Sequence, residues 1–299
     1  MRILLTGGTG LIGRALCKQW KAQGHDVWVW SRRPHEVAGL CSGAQGLGAL
    51  EQWDGAQTLD AVVNLAGAPI ADRPWTAGRR QVLWRSRVDL TRTLVGWLAR
   101  LEHRPSVLVS GSAVGWYGDG GDLLLDEERT LPGQDFGSRL CAAWEQEAIR
   151  AESLGIRVVR VRTAPVLADG QGILKRLAPV FGLGLGGRLG SGRQWMPWIH
   201  LDDEVGLIDF LLQHQTCSGP FNACAPGAVR NADFTRALAS VLGRPAFLPV
   251  PEWLLKATLG ELSVLLLGGQ RLQPRRCLEA GYVFRYPDLQ PALKAVLGT

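Results

Sequence analysis

The chain lacks the cysteine patterns that would indicate a disulfide framework or a zinc site. It has 299 residues and six cysteines, and none of the six belongs to a CxxC pair or a close Cys/His cluster. Such a scatter over a long chain is typical of reduced, buried thiols. A redox or catalytic role for one of them is the weaker alternative.

The sequence also has little excess charge and no long hydrophobic run. Its net charge is +6, from 33 basic and 27 acidic residues, and it contains no dense basic run of the kind found in nucleic-acid-binding arms. The apolar stretch 253–267 is interrupted by Lys256 and Glu261 and is too short to span a bilayer. No signal-peptide pattern precedes the first apolar run. We therefore expect a cytoplasmic protein that binds neither nucleic acid nor membrane, and whose mild positive field suits an anionic small ligand.

Short apolar runs alternate with segments of helical periodicity in the first half of the chain. The apolar runs are 3–5, 27–30, 61–65, 107–109 and 158–161. Helical spacing covers 11–20, 78–101 and 136–154. Strands buried on both faces and separated by amphipathic helices predict an α/β fold with a doubly wound parallel sheet of the Rossmann type.

The second half has a different texture. Six glycines crowd residues 182–192, which predicts a loop. A strand-to-helix signal follows at 198–204 and continues into the apolar segment 205–212. After Gly219-Pro220 the chain reads as helices separated by prolines. We predict a dinucleotide-binding domain over 1–225 and a smaller C-terminal module over 240–299 that completes the substrate side.

The first strand leads into the glycine-rich segment GGTGLIG at residues 7–13. Gly7 would allow a sharp turn, Gly10 would let backbone N–H groups approach a pyrophosphate, and Gly13 would let the helix pack closely on the sheet. The helix N-terminus would supply partial positive charge to hold the anion. A purely structural tight turn is the alternative. The predicted cofactor contacts in this segment are Gly7, Thr9, Gly10, Leu11, Ile12 and Gly13.

The end of the second strand predicts which dinucleotide is bound. NAD-dependent enzymes carry an acidic residue here for the ribose 2′-hydroxyl, whereas this chain has Ser31 and Arg32. Serine can donate a hydrogen bond to a 2′-phosphate, and arginine can pair with it bidentately. The sequence therefore favours NADP(H), with a solvated arginine in a loop as the alternative.

Two further features are candidates for cofactor contact. Small residues follow the strand at 61–65, and Leu65, Ala66 and Gly67 would let the backbone pass close to the cofactor ribose. Arg87, on the next predicted helix, could contact a cofactor phosphate or a substrate anion. An ordinary glycine turn and a salt bridge on the helix surface are the respective alternatives.

Together these motifs resemble the extended short-chain dehydrogenase/reductase family, in its sugar-nucleotide epimerase/dehydratase branch. Within that branch the chain is similar to an atypical subgroup labelled epimerase-family proteins. The segments that carry the likeness are Ser86-Arg87-Val88, GLGLGG at 182–187, GSGRQW at 190–195, Trp198-Ile199-His200, and a C-terminal stretch from Arg244-Pro245 to Tyr286-Pro287. The resemblance covers nearly the whole chain and implies a dinucleotide-binding domain followed by a module of uncharacterised function.

The resemblance also identifies candidate catalytic residues. In the family, a serine that aligns with Ser112 hydrogen-bonds the reacting oxygen, and a tyrosine with a lysine four residues later transfers the proton. This chain has three tyrosines, at 117, 282 and 286, and none has a lysine four positions on. Tyr117 is the tyrosine nearest to Ser112 in sequence and is the candidate acid. Packing of its ring in a loop, and a backbone-bonding role for Ser112, are the alternatives.

The glycine-rich loop at 182–192 is a candidate substrate lid, because Trp195, Trp198 and His200 lie beside it in sequence. A structural strand-to-helix join, with Asp202 or Asp203 capping a helix that begins near Glu204, is the favoured interpretation of His200. Lys175 and Arg176 could meet an anionic substrate, although a solvated helix face is favoured.

Two classes of function remain open. The first is an NADP(H)-dependent oxidoreductase or epimerase of a small polar substrate. The second is a non-catalytic, NADP(H)-sensing regulator of a protein partner. The sequence leaves the oligomeric state open.

Overall fold

The computed structural model describes residues 1–55 and 57–298, so the predicted C-terminal boundary at 299 lies outside the described residues. The strands are β1 Arg2–Thr6, β2 Asp26–Trp30, β3 Gln45–Leu47, β4 Ala61–Asn64, β5 Val107–Ala113, β6 Leu124–Leu125, β7 Arg157–Thr163, β8 Val166–Ala168, β9 Gln171–Gly172, β10 Trp195–Met196, β11 Ile199–His200, β12 Gly219–Ala223, β13 Val229–Arg230 and β14 Arg271–Leu272. The α-helices are α1 Leu11–Ala22, α2 Val37–Leu40, α3 Ala77–Trp84, α4 Leu90–Leu98, α5 Phe136–Ile149, α6 Leu174–Gly182, α7 Leu201–Gln213, α8 Asn231–Val241, α9 Glu252–Leu259, α10 Val264–Leu267, α11 Arg275–Glu279 and α12 Leu289–Leu297.

A parallel sheet of seven strands forms the centre of the molecule, in the order β12-β7-β5-β4-β1-β2-β3. The chain starts in β1, adds β2 and β3 on one side, and then crosses to add β4, β5, β7 and β12 on the other. The predicted α/β fold with a doubly wound parallel sheet is confirmed. All five predicted strands belong to this sheet.

The sequence interpretation missed the two edge strands. Residues 219–223 were expected to begin a helical region, but they form β12 and pair with β7 from Gly219↔Val159 to Ala223↔Thr163. Pro220 is tolerated because β12 is an edge strand, where a missing N–H need not break a ladder. The other edge, β3, is short and partly polar, so it gives no alternating pattern.

Helices cover both faces of the sheet. On one face, α1 and α7 bury Leu16, Trp20 and Leu211 against β-strand residues such as Leu5. The Trp20 indole N–H donates to Asp209 at 2.8 Å and joins the two helices. On the other face, α4 and α5 pack on the alternate side chains of the same strands, such as Leu4, Val62 and Leu108. Both faces of the sheet are therefore covered by packed helices.

The helix predicted over 78–101 is interrupted in its middle. A π-helical segment, Arg85–Asp89, separates α3 from α4. Such segments add one residue per turn, change the direction in which side chains point, and occur often at functional sites. Here the segment contains Ser86 and Arg87, which both contact the backbone that follows β4.

Helix α7 begins at Leu201, and His200 caps it. The Nδ1 of His200 accepts the N–H of Asp202 at 3.0 Å. The expectation that Asp202 or Asp203 would provide the cap is wrong. Asp203 instead accepts the N–H groups of Arg285 and Tyr286, at 2.6 and 2.9 Å. This carboxylate ties the C-terminal region to the central domain.

The last part of the chain packs beside the sheet, away from β3. Helix α12 lies on α8, and their apolar faces share a cluster with Leu167, Phe181 and Trp198. Within residues 1–55 and 57–298, no helix is both long and apolar enough to cross a membrane.

Candidate functional site

The glycine-rich loop connects β1 to α1, and its backbone geometry requires glycine at both ends. Gly7 has a φ of +71°, and a Cβ there would lie 2.7 Å from the carbonyl carbon of Leu65. A Cβ at Gly13 would overlap the carbonyl oxygen of Gly7. The turn, the β4 exit and the start of α1 are therefore packed backbone against backbone.

Gly10 is different, because its own backbone does not require glycine. Its φ is −79°, it is exposed, and the nearest atom to a Cβ there would be the Gly7 carbonyl oxygen at 3.2 Å. It precedes α1, whose first turn has no acidic residue and no side-chain cap. The first amides of the helix, at Leu11 and Ile12, thus face an open space with partial positive charge. This arrangement is suited to an anion.

Ser31 and Arg32 follow β2 at the same edge of the sheet. Ser31 accepts the N–H of Arg33 at 3.1 Å, and Arg33 forms an ion pair with Glu36 at 3.0 Å. Arg32 is exposed, and its side chain has no hydrogen bond or ion pair with any residue in 1–55 or 57–298. Its guanidinium is thus available to a ligand, whereas that of its neighbour is engaged.

The β4 exit is held against β1 by buried hydrogen bonds. The Thr6 hydroxyl donates to the Asn64 side chain at 2.7 Å and accepts the Ala66 N–H at 3.0 Å. The Asn64 amide donates to Thr91 at 2.8 Å. These bonds fix the path of Leu65, Ala66 and Gly67 beside the glycine-rich loop.

Arg87 reaches this exit from the π-helical segment. A Cβ at Gly67 would lie 2.9 Å from the Cζ of Arg87, and the guanidinium lies 5.3 Å from the Trp144 ring centroid. Burial lowers the pKa of Arg87. Burial also raises the pKa of the neighbouring Cys141 thiol, and the positive charge of Arg87 lowers that pKa by a smaller amount. No carboxylate of the described chain lies within ion-pair distance, so the alternative of a helix-surface salt bridge is wrong. A half-buried, unneutralised cation therefore stands beside the predicted ribose contact.

Ser112 and Tyr117 belong to a buried polar network around Glu145. The Ser112 hydroxyl donates to Glu145 Oε1 at 2.7 Å. Arg162 binds both oxygens of that carboxylate, through Nε at 2.8 Å and through a terminal nitrogen at 3.0 Å. Arg160 donates to Glu145 Oε2 at 3.2 Å. All of Ser112, Glu145 and Arg162 are at most 5% exposed.

The side chain of Tyr117 is fully buried. Its hydroxyl accepts from Arg162 at 3.0 Å and has the Asn222 side-chain oxygen at 2.8 Å and the Asp126 carbonyl at 2.9 Å. Burial raises the pKa of Tyr117 to about 12. The expectation that Tyr117 faces an open pocket is wrong, and its packing role, the alternative, describes the structure. Its phenol is thus not a base near neutral pH.

Sequence reasoning missed Glu145 and Arg162 as the centre of this network. Two signals were present: Arg160 and Arg162 stand in an otherwise apolar strand, and Glu145 lies on the inward face of α5, next to Trp144. Buried charges in such places require partners. What the sequence could not give was the pairing of residues from α5 and β7.

Trp195 lies shortly after the second glycine-rich segment, residues 182–192, and its side chain is held in place by several contacts. Its indole N–H donates to Asp122 at 2.7 Å, and the guanidinium groups of Arg230 and Arg271 lie 4.7 and 5.0 Å from its ring. Arg176, on α6, donates to the Ala71 carbonyl. These contacts pin the segment through its aromatic and cationic side chains.

A second buried acid, Glu204, lies behind the end of β7. One of its oxygens accepts the Thr163 hydroxyl at 2.8 Å, and the other has no partner within the described residues. Burial raises its pKa to about 8, so the carboxyl is protonated at neutral pH. All six cysteines are buried and unpaired, as the sequence predicts.

Comparisons with known proteins identify the family. Residues 3–224 match the model of the NAD dependent epimerase/dehydratase family, and residues 250–296 match a domain of unknown function, DUF1731. The mouse epimerase family protein SDR39U1 is 37% identical over 305 residues, which cover 99% of this chain and 100% of the mouse protein. The Bacillus subtilis epimerase family protein YfhF is 34% identical over 308 residues, covering 99% and 98% of the two chains.

Solved structures agree with these relationships. The crystal structure of human SDR39U1 isoform 2 with NADPH superposes with a TM-score of 0.89 at 34% identity, and covers 100% of this chain and 99% of the human chain. The UDP-glucuronic acid 4-epimerase of Bacillus cereus shares the fold, with a TM-score of 0.77 at 17% identity, and covers 100% and 98%. The chain therefore belongs to the NAD-dependent epimerase/dehydratase family, within the atypical SDR39U1-like epimerase-family proteins of the extended short-chain dehydrogenase/reductase type.

Proposed function

We propose that the protein is an NADP(H)-dependent oxidoreductase or epimerase that acts on a small polar substrate. The observation that carries this proposal is the open N-terminus of α1 at Gly10, on the same edge of the sheet as the unengaged guanidinium of Arg32. The presence of NADPH in the crystal structure of human SDR39U1 supports the choice of cofactor.

The residues at this edge of the sheet fit a dinucleotide. The amides of Leu11 and Ile12 would hold the pyrophosphate, with Gly10 leaving room for it. Ser31 and Arg32 would hold the 2′-phosphate. The exit at Leu65, Ala66 and Gly67 would pass along a ribose, and Gly7, Thr9 and Gly13 would shape the loop. The bound cofactor would supply hydride transfer, for which this chain provides binding and charge.

We expect Arg32→Ala to weaken NADPH binding by about 1–3 kcal/mol, because a charge-assisted contact with the 2′-phosphate is lost. Binding of NADH, which lacks that phosphate, should change little. Fluorescence titration with both cofactors measures this. Arg33→Ala is the matched control, since Arg33 is paired with Glu36 and should leave both affinities nearly unchanged. Equal losses for NADPH and NADH in Arg32→Ala would contradict the assignment.

The proton-transferring pair of the family is missing from α5, which contains neither tyrosine nor lysine. The guanidinium of Arg87 lies at the β4 exit, beside Cys141 of α5. No carboxylate among the described residues neutralises it. We propose that this guanidinium contacts a phosphate of the cofactor. Contact with a negatively charged oxygen of the substrate is the alternative. Ser112 stays a candidate for orienting a substrate carbonyl, although its hydroxyl would first have to leave Glu145.

An Arg87→Gln variant separates these two roles. Contact with a cofactor phosphate predicts a dissociation constant for NADPH that is higher by about tenfold or more. Contact with the substrate predicts an unchanged constant and a lower rate of NADPH oxidation with an active carbonyl compound found by screening. If neither the affinity nor the rate changes, Arg87 has no part in the site.

A non-catalytic, NADP(H)-sensing regulator is the second candidate. The observation that favours it is that Ser112 and Tyr117 are both engaged inside the protein, which leaves no proton donor of the family type at the surface of the site. A partner whose binding depends on NADPH, together with an absence of turnover over a broad carbonyl panel, would favour this function.

Two other predictions stay proposals. One is the division into a cofactor domain at 1–225 and a C-terminal module at 240–299. The other is a cytoplasmic location, since the Arabidopsis thaliana relative, 37% identical over 304 residues, is named as chloroplastic.

A further inference from the structure

A cleft of about 310 Å³ opens between α5, β7 and the loop before α5. Its walls include Trp116, Arg129, Glu145, Arg160 and Arg162. None of the residues predicted to bind the cofactor lines it. It is therefore separate from the dinucleotide edge of the sheet, and it is linked to the candidate catalytic residues through Glu145, which accepts from Ser112, and through Arg162, which donates to Tyr117.

The walls of this cleft carry an excess of positive charge. Three guanidinium groups, those of Arg129, Arg160 and Arg162, face one carboxylate, that of Glu145. Both oxygens of that carboxylate are already taken by Arg162 and Arg160. Arg129 donates only to the Leu131 carbonyl. The lining residues thus carry three positive charges against one negative charge, with Glu152 outside the lining also acting on Arg160.

Arg160 has an unused donor at this place. Its Nε is buried and has no hydrogen-bond partner within residues 1–55 and 57–298. Leaving a buried charged donor unsatisfied is costly, so such an atom in a native fold requires an explanation. The Nε itself is closed to the cleft, so an oxyanion there would be met by the terminal nitrogens of Arg160, one of which also donates to Glu145 Oε2 at 3.2 Å.

A further cation adjoins the cleft. A Cβ at Gly219 would lie 2.9 Å from a terminal nitrogen of Arg276 and 3.5 Å from one of Arg160, so the two guanidinium groups flank the same backbone. Arg276 donates to the carbonyls of Ser218 and Pro220. Two acids outside the lining act on these groups: Glu152 acts on Arg160, and the buried Glu127 accepts the N–H groups of Asn222 and Arg276 at 2.8 and 3.4 Å. Like charges held this close favour a bound anion.

We propose that this cleft binds a small dianion of the phosphate type, such as a phosphate monoester. Planar guanidinium groups match the oxygens of phosphate bidentately, and the net positive charge of the lining residues suits a dianion. The volume admits a small metabolite rather than a second dinucleotide. Arg129 and Arg160 are the residues that would bind the anion. Arg162 is held in place by Glu145 and by the Trp116 ring, whose centroid lies 3.6 Å from the guanidinium carbon.

The test is isothermal titration of the full chain with inorganic phosphate, with NADPH present at saturation so that the dinucleotide site is filled. Succinate, a dicarboxylate, and chloride are titrated in parallel at constant ionic strength. We expect phosphate to bind one to one, succinate to bind more weakly, and chloride not to compete. Tighter binding of succinate than of phosphate would overturn the choice of a phosphate-type ligand.

Arg129→Gln and Arg160→Gln should each weaken phosphate binding by about tenfold or more, since each removes a charge-assisted contact. Arg129→Lys should keep most of the affinity. Arg104→Gln is the matched control, because Arg104 is exposed and donates only to the backbone carbonyls of Ala99 and Leu154. If Arg160→Gln fails to fold by circular dichroism, Arg129→Gln decides alone. Absence of phosphate binding to the unmodified chain, or equal binding by the Arg129→Gln variant, would overturn the proposal.

Discussion

Gly10→Val should bind neither NADPH nor NADH, with dissociation constants raised by at least two orders of magnitude, or about 3 kcal/mol. The side chain would fill the space in front of the first amides of α1, which the pyrophosphate needs. The fold should persist, because the φ of −79° at Gly10 is allowed for valine and the 3.2 Å approach of its Cβ to the Gly7 carbonyl oxygen asks for a shift of only a few tenths of an ångström. Fluorescence or calorimetric titration gives the affinities, and thermal unfolding confirms the fold.

Gly96→Val is the matched control for this change. Gly96 lies on the exposed side of α4, and nothing lies within 4 Å of a Cβ there. It should leave both affinities unchanged at a small cost in stability. Gly13→Val should behave differently from both, because its Cβ would overlap the Gly7 carbonyl, so loss of binding there would come with loss of stability. A folded Gly10→Val variant that binds NADPH normally would show that the loop is not the phosphate site.

Glu145→Ala should lower the free energy of unfolding by about 3–5 kcal/mol, because it leaves a buried arginine without its counter-charge. The side chain of Arg162 is 3% exposed and donates to both oxygens of Glu145. Ser112 and Arg160 lose the same acceptor. Urea unfolding followed by circular dichroism measures the change.

Glu147→Ala provides the comparison on the same helix. Glu147 also binds two arginines, Arg92 and Arg150, but their side chains are 54% and 64% exposed. Those guanidinium groups stay hydrated when the carboxylate is removed, so the loss should be much smaller. Equal losses in the two variants would contradict the view that burial of Arg162, and not the number of ion pairs, makes Glu145 important.

The first strand, turn and helix of the fold could be predicted well because their signals are local. A buried strand, a glycine-rich turn and an amphipathic helix follow each other within 22 residues, and the φ of +71° at Gly7 is what the turn requires. The position of Ser31 and Arg32 directly after β2 is also a local feature, while their contact with the cofactor stays a proposal. Short-range patterns of this kind need no knowledge of distant contacts.

The predictions that failed concern side chains whose partners are far away in sequence. Tyr117 meets Arg162 and Asn222, which are 45 and 105 residues further on. The sequence places Tyr117 near Ser112 but does not show that its ring turns inward.

Strand β12 was missed because its glycine and proline suppress a strand pattern, and only its pairing with β7 explains why they are tolerated.

The direction of Arg87 lies between these cases. Its position after β4 on a helix was visible in the sequence, but the π-helical segment that turns it towards Gly67 was not. Its predicted contact with a cofactor phosphate or a substrate anion therefore stays a proposal.

The edge of the sheet that carries Ser31 and Arg32 should select a dinucleotide with a 2′-phosphate. The most direct measurement is calorimetric titration of the unmodified chain with NADPH and with NADH under identical conditions. We predict one NADPH per chain, bound at least tenfold more tightly than NADH, because Arg32 adds a charge-assisted contact worth about 1–3 kcal/mol. Equal affinities for the two cofactors, or tighter binding of NADH, would contradict the account.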